Sequence, residues 1–245
     1  MRIRTFDIGH SRIKSAIFSN GQVTENHSAE ISDYTEFIND IDISSDDGIA
    51  FCSTDSRVSE YLLDKLKSNK IFTMDYKSFP MANHYKTPKT LGPDRMALAY
   101  AAYCLFEDKK FDKIIIIDAG TAITCDVIDM NEKAYLGGMI LLGKTKMKRC
   151  LFENAPNLKS ELEKESIDFP AQNTKNCISL GIQLQTDFII DTLINDYCRK
   201  NKGQNIKITA TGGDLNALNK KYDSEKNLIH YGLAKAFLHK IMGEK

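Results

Sequence analysis

An aspartate, a glycine and a small hydroxyl residue follow one another in the same order at two distant places in this sequence. The first copy is DIGHS at residues 7–11, and the second is DAGTA at residues 118–122. Glycine can adopt positive φ at a turn and lets the backbone approach a ligand, so N–H groups and the hydroxyl can meet phosphate oxygens. The aspartate can hold a cation. Two such turns facing each other would bind a nucleoside triphosphate and its metal, so the repeat predicts phosphoryl transfer.

Each copy alone has a simpler explanation, because Asp and Gly are ordinary residues of tight turns. The repetition favours the functional explanation. Each copy follows an apolar run that is typical of a buried strand, and the second run is four consecutive isoleucines at 114–117. The repeat therefore predicts two domains of common size, residues 1–112 and residues 113–245.

Hydrophobic periodicity and turn residues predict the same opening in both halves, three strands in an antiparallel meander. In the first half we expect strands at 2–8, 12–18, 22–29, 48–52 and 71–74, and helices at 34–41, at 56–66 and from Asp94 onward. In the second half we expect strands at 113–117, 122–129, 133–141 and 206–211, and helices at 144–153, 175–200 and 231–242. Helices that follow strands in this way predict an α/β fold with mixed sheets.

The overall composition limits the partners that we expect. The chain has 33 basic and 33 acidic residues, so its net charge gives no electrostatic footprint for nucleic acid. No apolar stretch reaches the length of about 18 residues that a membrane span requires. Met1 is followed directly by a strand pattern and not by a signal peptide. We therefore expect a soluble, cytoplasmic protein with no nucleic-acid or membrane partner.

The cysteines and histidines suggest no metal or disulfide framework. The six cysteines are far apart, with no C-x-x-C pair and no histidine at ligand spacing. Zinc ribbons and disulfide scaffolds are therefore unsupported, and we expect most of these thiols to be buried as small hydrophobic groups. No Cys/His or Ser/His/Asp arrangement is suggested by the local sequence.

One formal motif match competes with the two turns as a phosphate site. Residues 138–145 satisfy the pattern G-x-x-x-x-G-K-S/T of the phosphate loop. A phosphate loop curls between a parallel strand and a helix, but the four variable positions here are Met, Ile, Leu and Leu, which are typical of an antiparallel strand end. We therefore expect Lys144 to be a solvated lysine at a helix start, and the nucleotide to bind at the two turns.

Five short motifs, taken in order, resemble those of the type III pantothenate kinases. They are DIGHS with the lysine at position 14, GPDR at 92–95, DAGTAITCD at 118–126, GG at 137–138 and NT at 173–174. The resemblance implies duplicated actin-like domains, which are ribonuclease H-like and similar to sugar kinases. It implies a homodimer, with dimerising helices in the second half and the pantothenate pocket near the subunit interface. It also implies the opening reaction of coenzyme A synthesis, in which ATP and pantothenate give ADP and 4′-phosphopantothenate.

The resemblance implies a role for individual residues as well. The ATP-binding positions are Asp7, Ile8, Gly9, His10, Ser11, Arg12, Ile13, Lys14 and Thr121. The pantothenate-binding positions are Tyr85, Gly92, Pro93, Asp94, Arg95 and Thr174, and Asp94 also matches the catalytic proton acceptor. Asp118 matches the ligand of a monovalent cation, potassium or ammonium, which is implied beside the magnesium that accompanies ATP.

These roles fit the chemistry of the implied substrate. Pantothenate is an alcohol with a carboxylate at its far end, so its site needs a carboxylate near the hydroxyl and cationic or hydroxyl donors for the anion. Asp94 and Arg95 would supply both. The alternative for Asp94 is an N-terminal helix cap with Arg95 on the surface, because Asp is a favoured cap residue.

Two positions depart from the family pattern. His10 replaces the usual Asn, although it can still donate a hydrogen bond to phosphate. The segment before Gly143 lacks the usual proline, and we expect this to change only the entry into the next helix. Neither departure removes an acid that the chemistry needs.

Two other functions remain open at this point. A relative described as an accessory factor for transcription shares this fold and these motifs, so a regulatory role with little or no turnover is one alternative. A kinase of the same fold that acts on a sugar or another small metabolite is the other. Retention of the four charged positions Asp7, Asp94, Arg95 and Asp118 favours an enzyme.

Overall fold

The computed structural model describes residues 1–44, 47–66, 70–159, 168–215 and 222–243. Its strands are β1 (Ile3–Ile8), β2 (Arg12–Ser19), β3 (Gln22–Glu30), β4 (Gly48–Ser53), β5 (Lys70–Thr73), β6 (Ala82–Asn83), β7 (Lys113–Ala119), β8 (Ala122–Asp129), β9 (Ala134–Leu142), β10 (Ile206–Thr211) and β11 (Asp223–Ser224). Its helices are α1 (Tyr34–Asp40), α2 (Ser56–Lys65), α3 (Pro93–Phe106), α4 (Lys144–Asn154), α5 (Thr174–Lys200) and α6 (Leu228–Gly243). Every predicted strand and helix is present, with small shifts at the ends. The two-residue strands β6 and β11 were not predicted.

The strands form two mixed sheets. The first has the order β3-β2-β1-β4-β5, and the second has the order β11-β10-β7-β8-β9-β6. Strands β1, β2 and β3 pair antiparallel, as do β7, β8 and β9, whereas β1 pairs parallel with β4 and β7 pairs parallel with β10. β1 and β7 therefore lie inside their sheets, and each runs directly into one of the two repeated turns.

The sequences of these two strands explain their burial. Residues 114–117 of β7 are all isoleucine and are at most 1% exposed, and such a continuous apolar run suits a strand that helices cover on both faces. In β1 the side chains alternate, so that Phe6 and Ile8 pack with α1 and α2 while Ile3 packs with α3 and α6. The burial of both strands holds their carboxyl ends in fixed positions.

Helices α3 and α6 lie between the two sheets and join them. One core cluster contains Phe72 of β5, Tyr135 of β9 and Phe237 of α6. Helices α1 and α2 cover the outer face of the first sheet, and α5 covers the outer face of the second. Strand β6, from the first half of the sequence, belongs to the second sheet, and α6, from the second half, packs on β1 and β4 of the first sheet. Each half of the sequence therefore contributes one element to the other half of the structure.

The cysteines are free thiols, but fewer are buried than we expected. Cys52 and Cys125 are buried, Cys104 and Cys198 are partly exposed, and Cys150 and Cys177 are exposed. The expectation that most of them are buried is therefore wrong.

Contrary to the sequence expectation, one described helix is long and apolar enough by length and composition to cross a membrane. Helix α5 has 27 residues, and 28% of its most apolar stretch is buried. A single helix of this kind is weak support for a span, because core helices of soluble proteins meet the same test. Within α5, Asp187 pairs with Lys144 of α4, and Asp191 accepts a hydrogen bond from the Tyr222 hydroxyl.

Candidate active site

The two repeated turns meet at the ends of the central strands. The first connects β1 to β2 at residues 9–11, and the second connects β7 to β8 at residues 120–121. The Thr121 hydroxyl donates a hydrogen bond to the Ser11 hydroxyl at 3.2 Å, which joins the tips of the two turns. We call this place the hairpin junction. The two turns thus face each other, as the repeat predicts.

Neither turn has the positive φ that we predicted for its glycine. Gly9 and Gly120 are not among the glycines with positive φ, because each turn closes with ordinary backbone angles. Gly9 N donates to Arg12 O at 3.0 Å, and Gly120 N donates to Ala122 O at 3.0 Å. An added Cβ at Gly9 would approach only Arg12 O, at 3.4 Å. The glycine therefore keeps the surface of the turn open for a ligand.

Asp7 lies at the end of β1 between two donors. Its Oδ2 is 3.0 Å from Nζ of Lys14, the residue opposite it on β2. The Cys52 thiol on β4 donates to Oδ1 at 3.7 Å. The negative charge of Asp7 raises the pKa of Lys14, and burial raises the pKa of the Cys52 thiol well above its usual value. Both neighbours therefore stay protonated and can donate to Asp7 at neutral pH.

Asp94 lies in the first turn of α3, but it does not cap that helix. The N-cap residue is Gly92 and the first helical residue is Pro93, so the interpretation of Asp94 as a helix cap is wrong. A Cβ at Gly92 would lie 2.4 Å from Oδ1 of Asp94, so glycine is required for the carboxylate to take this position. Burial raises the pKa of Asp94, and the negative charges of Asp7 and Asp126 raise it further.

Asp118 lies near the end of β7, within electrostatic range of the other two carboxylates. Burial raises the pKa of Asp118 to about 7, and the charges of Asp7 and Asp94 add to this effect while Lys14 opposes it. Three carboxylates from β1, α3 and β7 therefore share one partly buried region with little positive charge to balance them. Such a region favours the binding of a cation.

Arg95 is buried and already has a carboxylate partner. Its side chain is 6% exposed and forms an ion pair with Asp126 of β8, whose side chain is 1% exposed. The guanidinium lies 5.9 Å from the ring centre of Tyr85 and 5.8 Å from that of Tyr135. Arg95 is therefore not on the surface. Sequence reasoning assigned no role to Asp126, although it ends the motif at 118–126.

The side chains predicted to bind ATP do not all reach the hairpin junction. Ile8 and Ile13 are buried in the core beneath α1 and α2, so only their backbones can meet a ligand. The Arg12 guanidinium pairs with Glu30 of β3 at 2.7 Å. His10 is exposed beside Thr54, with Nδ1 3.5 Å from the Thr54 hydroxyl.

Thr174 occupies a separate place in this chain. It is the first residue of α5, and Asn173 caps that helix by accepting a hydrogen bond from Asn176 N at 2.9 Å. Thr174 lines a cavity of about 580 Å³ together with Leu158, Ala171, Gln172, Asn173, Cys177 and Ile178. Within the described part of the chain, no hydrogen bond or ion pair joins Thr174 to Asp94 or Arg95.

The donor set fits a cation that shares its coordination with a ligand. Among the described residues, no group of three or more His, Cys, Asp or Glu side chains is arranged to hold a metal by itself. Magnesium usually takes one or two protein carboxylates, with phosphate oxygens and waters completing its shell. Asp7 can supply one such carboxylate, and the raised pKa of Asp118 reflects an excess of negative charge beside it.

The formal phosphate-loop match is not a phosphate loop in the structure. Strand β9 continues to Leu142 and pairs antiparallel with β8 along residues 138–142. The Lys144 ammonium lies 3.2 Å from Oδ1 of Asp187 on α5. Lys144 is thus at a helix start, as predicted, but it is part of an ion pair and only 17% exposed, so the expectation that it is solvated is wrong.

Comparisons with known proteins agree with this geometry. A family model described as type III pantothenate kinase matches residues 5–196. A type III pantothenate kinase of Flavobacterium johnsoniae is 31% identical over 250 residues, which cover 98% of this chain and 98% of that protein.

Two solved structures show the fold. A Campylobacter jejuni protein described as a Baf family transcriptional activator has a TM-score of 0.65 at 22% identity, over 98% of this chain and 100% of that one. A ROK family glucokinase from Streptomyces griseus, in complex with glucose and AMPPNP, has a TM-score of 0.52 at 10% identity, over 98% and 99% of the two chains. The two mixed sheets therefore belong among the actin-like folds of sugar kinases.

The two sequence motifs for nucleotide binding predict opposite results for two substitutions. Lys144→Ala should change ATP affinity by no more than about fivefold, because the Lys144 ammonium is paired with Asp187 on α5 and the loss of such an ion pair costs at most about 1 kcal/mol. Gly9→Val should abolish ATP binding while the chain still folds, because the new side chain projects into the open surface of the first turn. Calorimetric titration with ATP measures both. Lost binding in Lys144→Ala beside normal binding in Gly9→Val would contradict the assignment.

The raised pKa of Asp118 predicts a pH-dependent cost in stability. The pKa is about 7 in the folded chain and about 3.9 when unfolded. Between these values the folded state binds more protons than the unfolded state, so the free energy of unfolding falls as the pH rises. In metal-free buffer, Asp118→Asn should be more stable than the wild type at pH 8 by on the order of 1–3 kcal/mol, and similar to it at pH 4.

Urea unfolding at the two pH values measures this difference. Asp108→Asn, at an exposed position after α3, is the matched control. Its free energy of unfolding should equal that of the wild type at both pH values. A stability difference between wild type and Asp118→Asn that stays constant from pH 4 to pH 8 would contradict the crowding of charge around Asp118.

Proposed function

Since the chain belongs to the type III pantothenate kinase family and is an ATP-dependent kinase of pantothenate, we propose that it transfers the γ-phosphate of ATP at the hairpin junction. The product is 4′-phosphopantothenate, in the first step of coenzyme A biosynthesis. The observation that carries this proposal is the contact between Ser11 and Thr121, which brings together two phosphate-binding turns beside three carboxylates. Phosphoryl transfer needs such fixed donors and charges more than it needs covalent chemistry.

The backbone of residues 7–14 and the side chain of Thr121 bind the triphosphate in this proposal. The two turns bring the Ser11 and Thr121 hydroxyls together, so the phosphates can bridge them. The Lys14 ammonium is held beside Asp7 and stays charged. Asp7 would hold magnesium together with the phosphate oxygens, where the ion neutralises charge on the transferring group.

Asp94 is the proton acceptor in this proposal. Burial raises its pKa, which makes it a stronger base for an alcohol proton than a fully solvated aspartate. The proton of the pantothenate hydroxyl moves to Asp94 as the hydroxyl oxygen bonds to the γ-phosphorus. The bond between that phosphorus and the bridging oxygen of ADP breaks at the same time.

The residues around Asp94 bind the rest of pantothenate. Arg95 has five N–H groups. In the ion pair with Asp126, the Nε N–H and one N–H of Nη2 are used. The remaining donors can therefore meet the substrate carboxylate without breaking the pair. Tyr85, Gly92 and Pro93 surround this position and would form the walls of the pocket.

Asp118 holds a monovalent cation in this proposal. The negative charges of Asp7 and Asp94 act on it, and Lys14 offsets only part of them. Potassium or ammonium at this carboxylate would offset the charge of the phosphates as ATP binds. Because the ion replaces a proton that Asp118 would otherwise keep near neutral pH, its binding competes with protonation.

The functional unit is a homodimer in this proposal. Helix α5 exposes Leu184 by 52% and Phe188 by 69%, and β9 exposes Ile140 by 60%. These apolar side chains suit contact with a second copy of the chain. Thr174, which has no described link to Asp94 of its own chain, would then serve the pantothenate pocket of the neighbour. A monomer in sedimentation equilibrium at micromolar concentration would contradict the dimer.

Three broader features accompany this proposal. The two sheets, which open alike with three antiparallel strands and an aspartate-containing turn, form duplicated actin-like domains, the first mainly within residues 1–112 and the second mainly within residues 113–245. The enzyme acts in the cytoplasm, where ATP and pantothenate meet. Nucleic acid is not its partner, since its net charge is zero. Membranes are not its partners either, since α5 carries Asp187 and Asp191, each paired with a residue outside that helix.

The regulatory alternative and the other metabolite kinases differ from this proposal in ADP release and in the compound on which that release depends. A regulatory factor would bind nucleotide but release little ADP, and a sugar kinase would release ADP with a sugar and not with pantothenate. The likeness to the Campylobacter jejuni protein concerns the fold alone, because the sequences are 22% identical.

The proton-acceptor role predicts that Asp94→Asn lowers kcat by about 10² to 10⁴, the usual contribution of a positioned general base. ATP affinity should stay within about twofold of the wild type, because Asp94 faces the acceptor alcohol. Asp108→Asn, at the other end of α3, should keep the wild-type kcat. Steady-state kinetics with calorimetric ATP titration make the comparison, and near-normal turnover of Asp94→Asn would remove Asp94 from this role.

The cation role predicts that potassium or ammonium raises the activity of the wild type by at least about tenfold over Tris buffer, which corresponds to about 1.4 kcal/mol. Asp118→Ala should lose this response, because the neutral side chain no longer holds the ion. Initial rates across a potassium titration test both proteins. Full wild-type activity in sodium or Tris alone would count against the site.

A further inference from the structure

The carboxylate of Asp126 is saturated by donors in the interior between α3 and the second sheet. Arg95 Nε donates to Oδ1 at 3.0 Å and lies 3.2 Å from Oδ2, and Arg95 Nη2 also donates to Oδ1. The Tyr135 hydroxyl donates to Oδ1 at 2.7 Å, and the Thr124 hydroxyl donates to Oδ2 at 3.0 Å. Both oxygens of this buried carboxylate are therefore fixed from several directions.

The surrounding backbone leaves this cluster no room to move. A Cβ at Gly138 of β9 would lie 2.4 Å from Oδ1 of Asp126 and 2.9 Å from Nη2 of Arg95, so the strand passes directly over the ion pair. The rings of Tyr85 and Tyr135 lie about equally far from the guanidinium on its other sides, at 5.9 and 5.8 Å. The Arg95 side chain is thus held in a single position.

A fixed Arg95 constrains the residue that precedes it. Asp94 and Arg95 are consecutive in the first turn of α3, a turn whose N-cap residue makes no side-chain capping hydrogen bond. The first turn of a helix frays easily when its end is not capped. Consecutive helical residues project about 100° apart, since an α-helix has 3.6 residues per turn. Tying Arg95 to β8 therefore sets the direction in which Asp94 projects.

We propose that Asp126 is a positioning residue for phosphoryl transfer, which anchors Arg95 to β8 and thereby holds Asp94 against the acceptor alcohol. This inference rests on the proposed function of Asp94. A buried ion pair contributes little net stability compared with apolar residues of the same volume. Its contribution here is geometric, because proton transfer requires the base within hydrogen-bond reach of the alcohol.

The test compares Asp126→Asn with a matched ion-pair variant on the same strand. Asp126→Asn should lower kcat at saturating substrates by about 10²-fold, because small displacements of reacting groups have effects of that size. Its ATP affinity should stay within about twofold of the wild type. Asp129→Asn breaks the Lys113–Asp129 pair (2.7 Å) at the opposite end of β8 and should keep kcat within about twofold, even where its melting temperature falls equally.

A double-mutant cycle separates positioning from an independent effect. In the Asp94→Asn background, Asp126→Asn should lower kcat by no more than about threefold, because residues that act through one another are not additive. Multiplicative losses, or an Asp126→Asn enzyme with the wild-type kcat, would overturn the proposal. If Asp94→Asn itself is fully active, the base assignment fails as well, and this outcome is distinct from failure of the positioning role alone.

Tyr135→Phe keeps the test decisive if Asp126→Asn does not fold. This variant removes only the hydroxyl that donates to Asp126, and it should lower kcat by about three- to tenfold while the KM for ATP is unchanged. Tyr103→Phe, at a partly exposed position further along α3, is its control and should match the wild type. A Tyr135→Phe enzyme with unchanged kcat would overturn the proposal.

Discussion

Negative charge is concentrated where the central strands of the two sheets end. Burial and the charges of Asp7 and Asp94 raise the pKa of Asp118, burial and the charge of Asp7 raise that of Asp94, and the nearby Lys14 balances only part of this negative charge. In the ligand-free chain this crowding costs stability, since burial disfavours ionised carboxylates. A cation relieves the cost. The same charges that destabilise the free protein therefore favour the binding of a nucleotide that arrives with its metal.

The packing between the sheets keeps these carboxylates in place. Helix α3 carries Asp94 into the space between the sheets, and α6 packs beside it against β1. Nδ1 of His230 on α6 lies 2.9 Å from the hydroxyl of Thr5, two residues before Asp7 on β1. Burial lowers the pKa of His230 to about 4, so this contact adds no charge near neutral pH. Apolar burial and neutral hydrogen bonds thus fix the position of the charged groups.

The sequence predicted the features that depend on local pattern. The isoleucines at 114–117 marked strand β7, and turn residues marked the hairpin of β2 and β3, where Asn20 and Gly21 both have positive φ. Strand β6 was missed because its two residues are held only by pairing with distant β9. The role of Asp126 was missed for the same reason, since its partner Arg95 lies on another element. The positive φ expected at Gly9 was wrong because the turn is long enough to close without it.

The central claim is that the hairpin junction transfers phosphate from ATP to pantothenate. Its most direct test is ADP release by the wild-type enzyme with magnesium and potassium, measured with and without pantothenate, together with mass-spectrometric quantification of the phosphorylated product. We predict that ADP appears only when pantothenate is present and that 4′-phosphopantothenate forms in equal amount. ADP release that does not depend on pantothenate, or nucleotide binding without turnover, would contradict the claim.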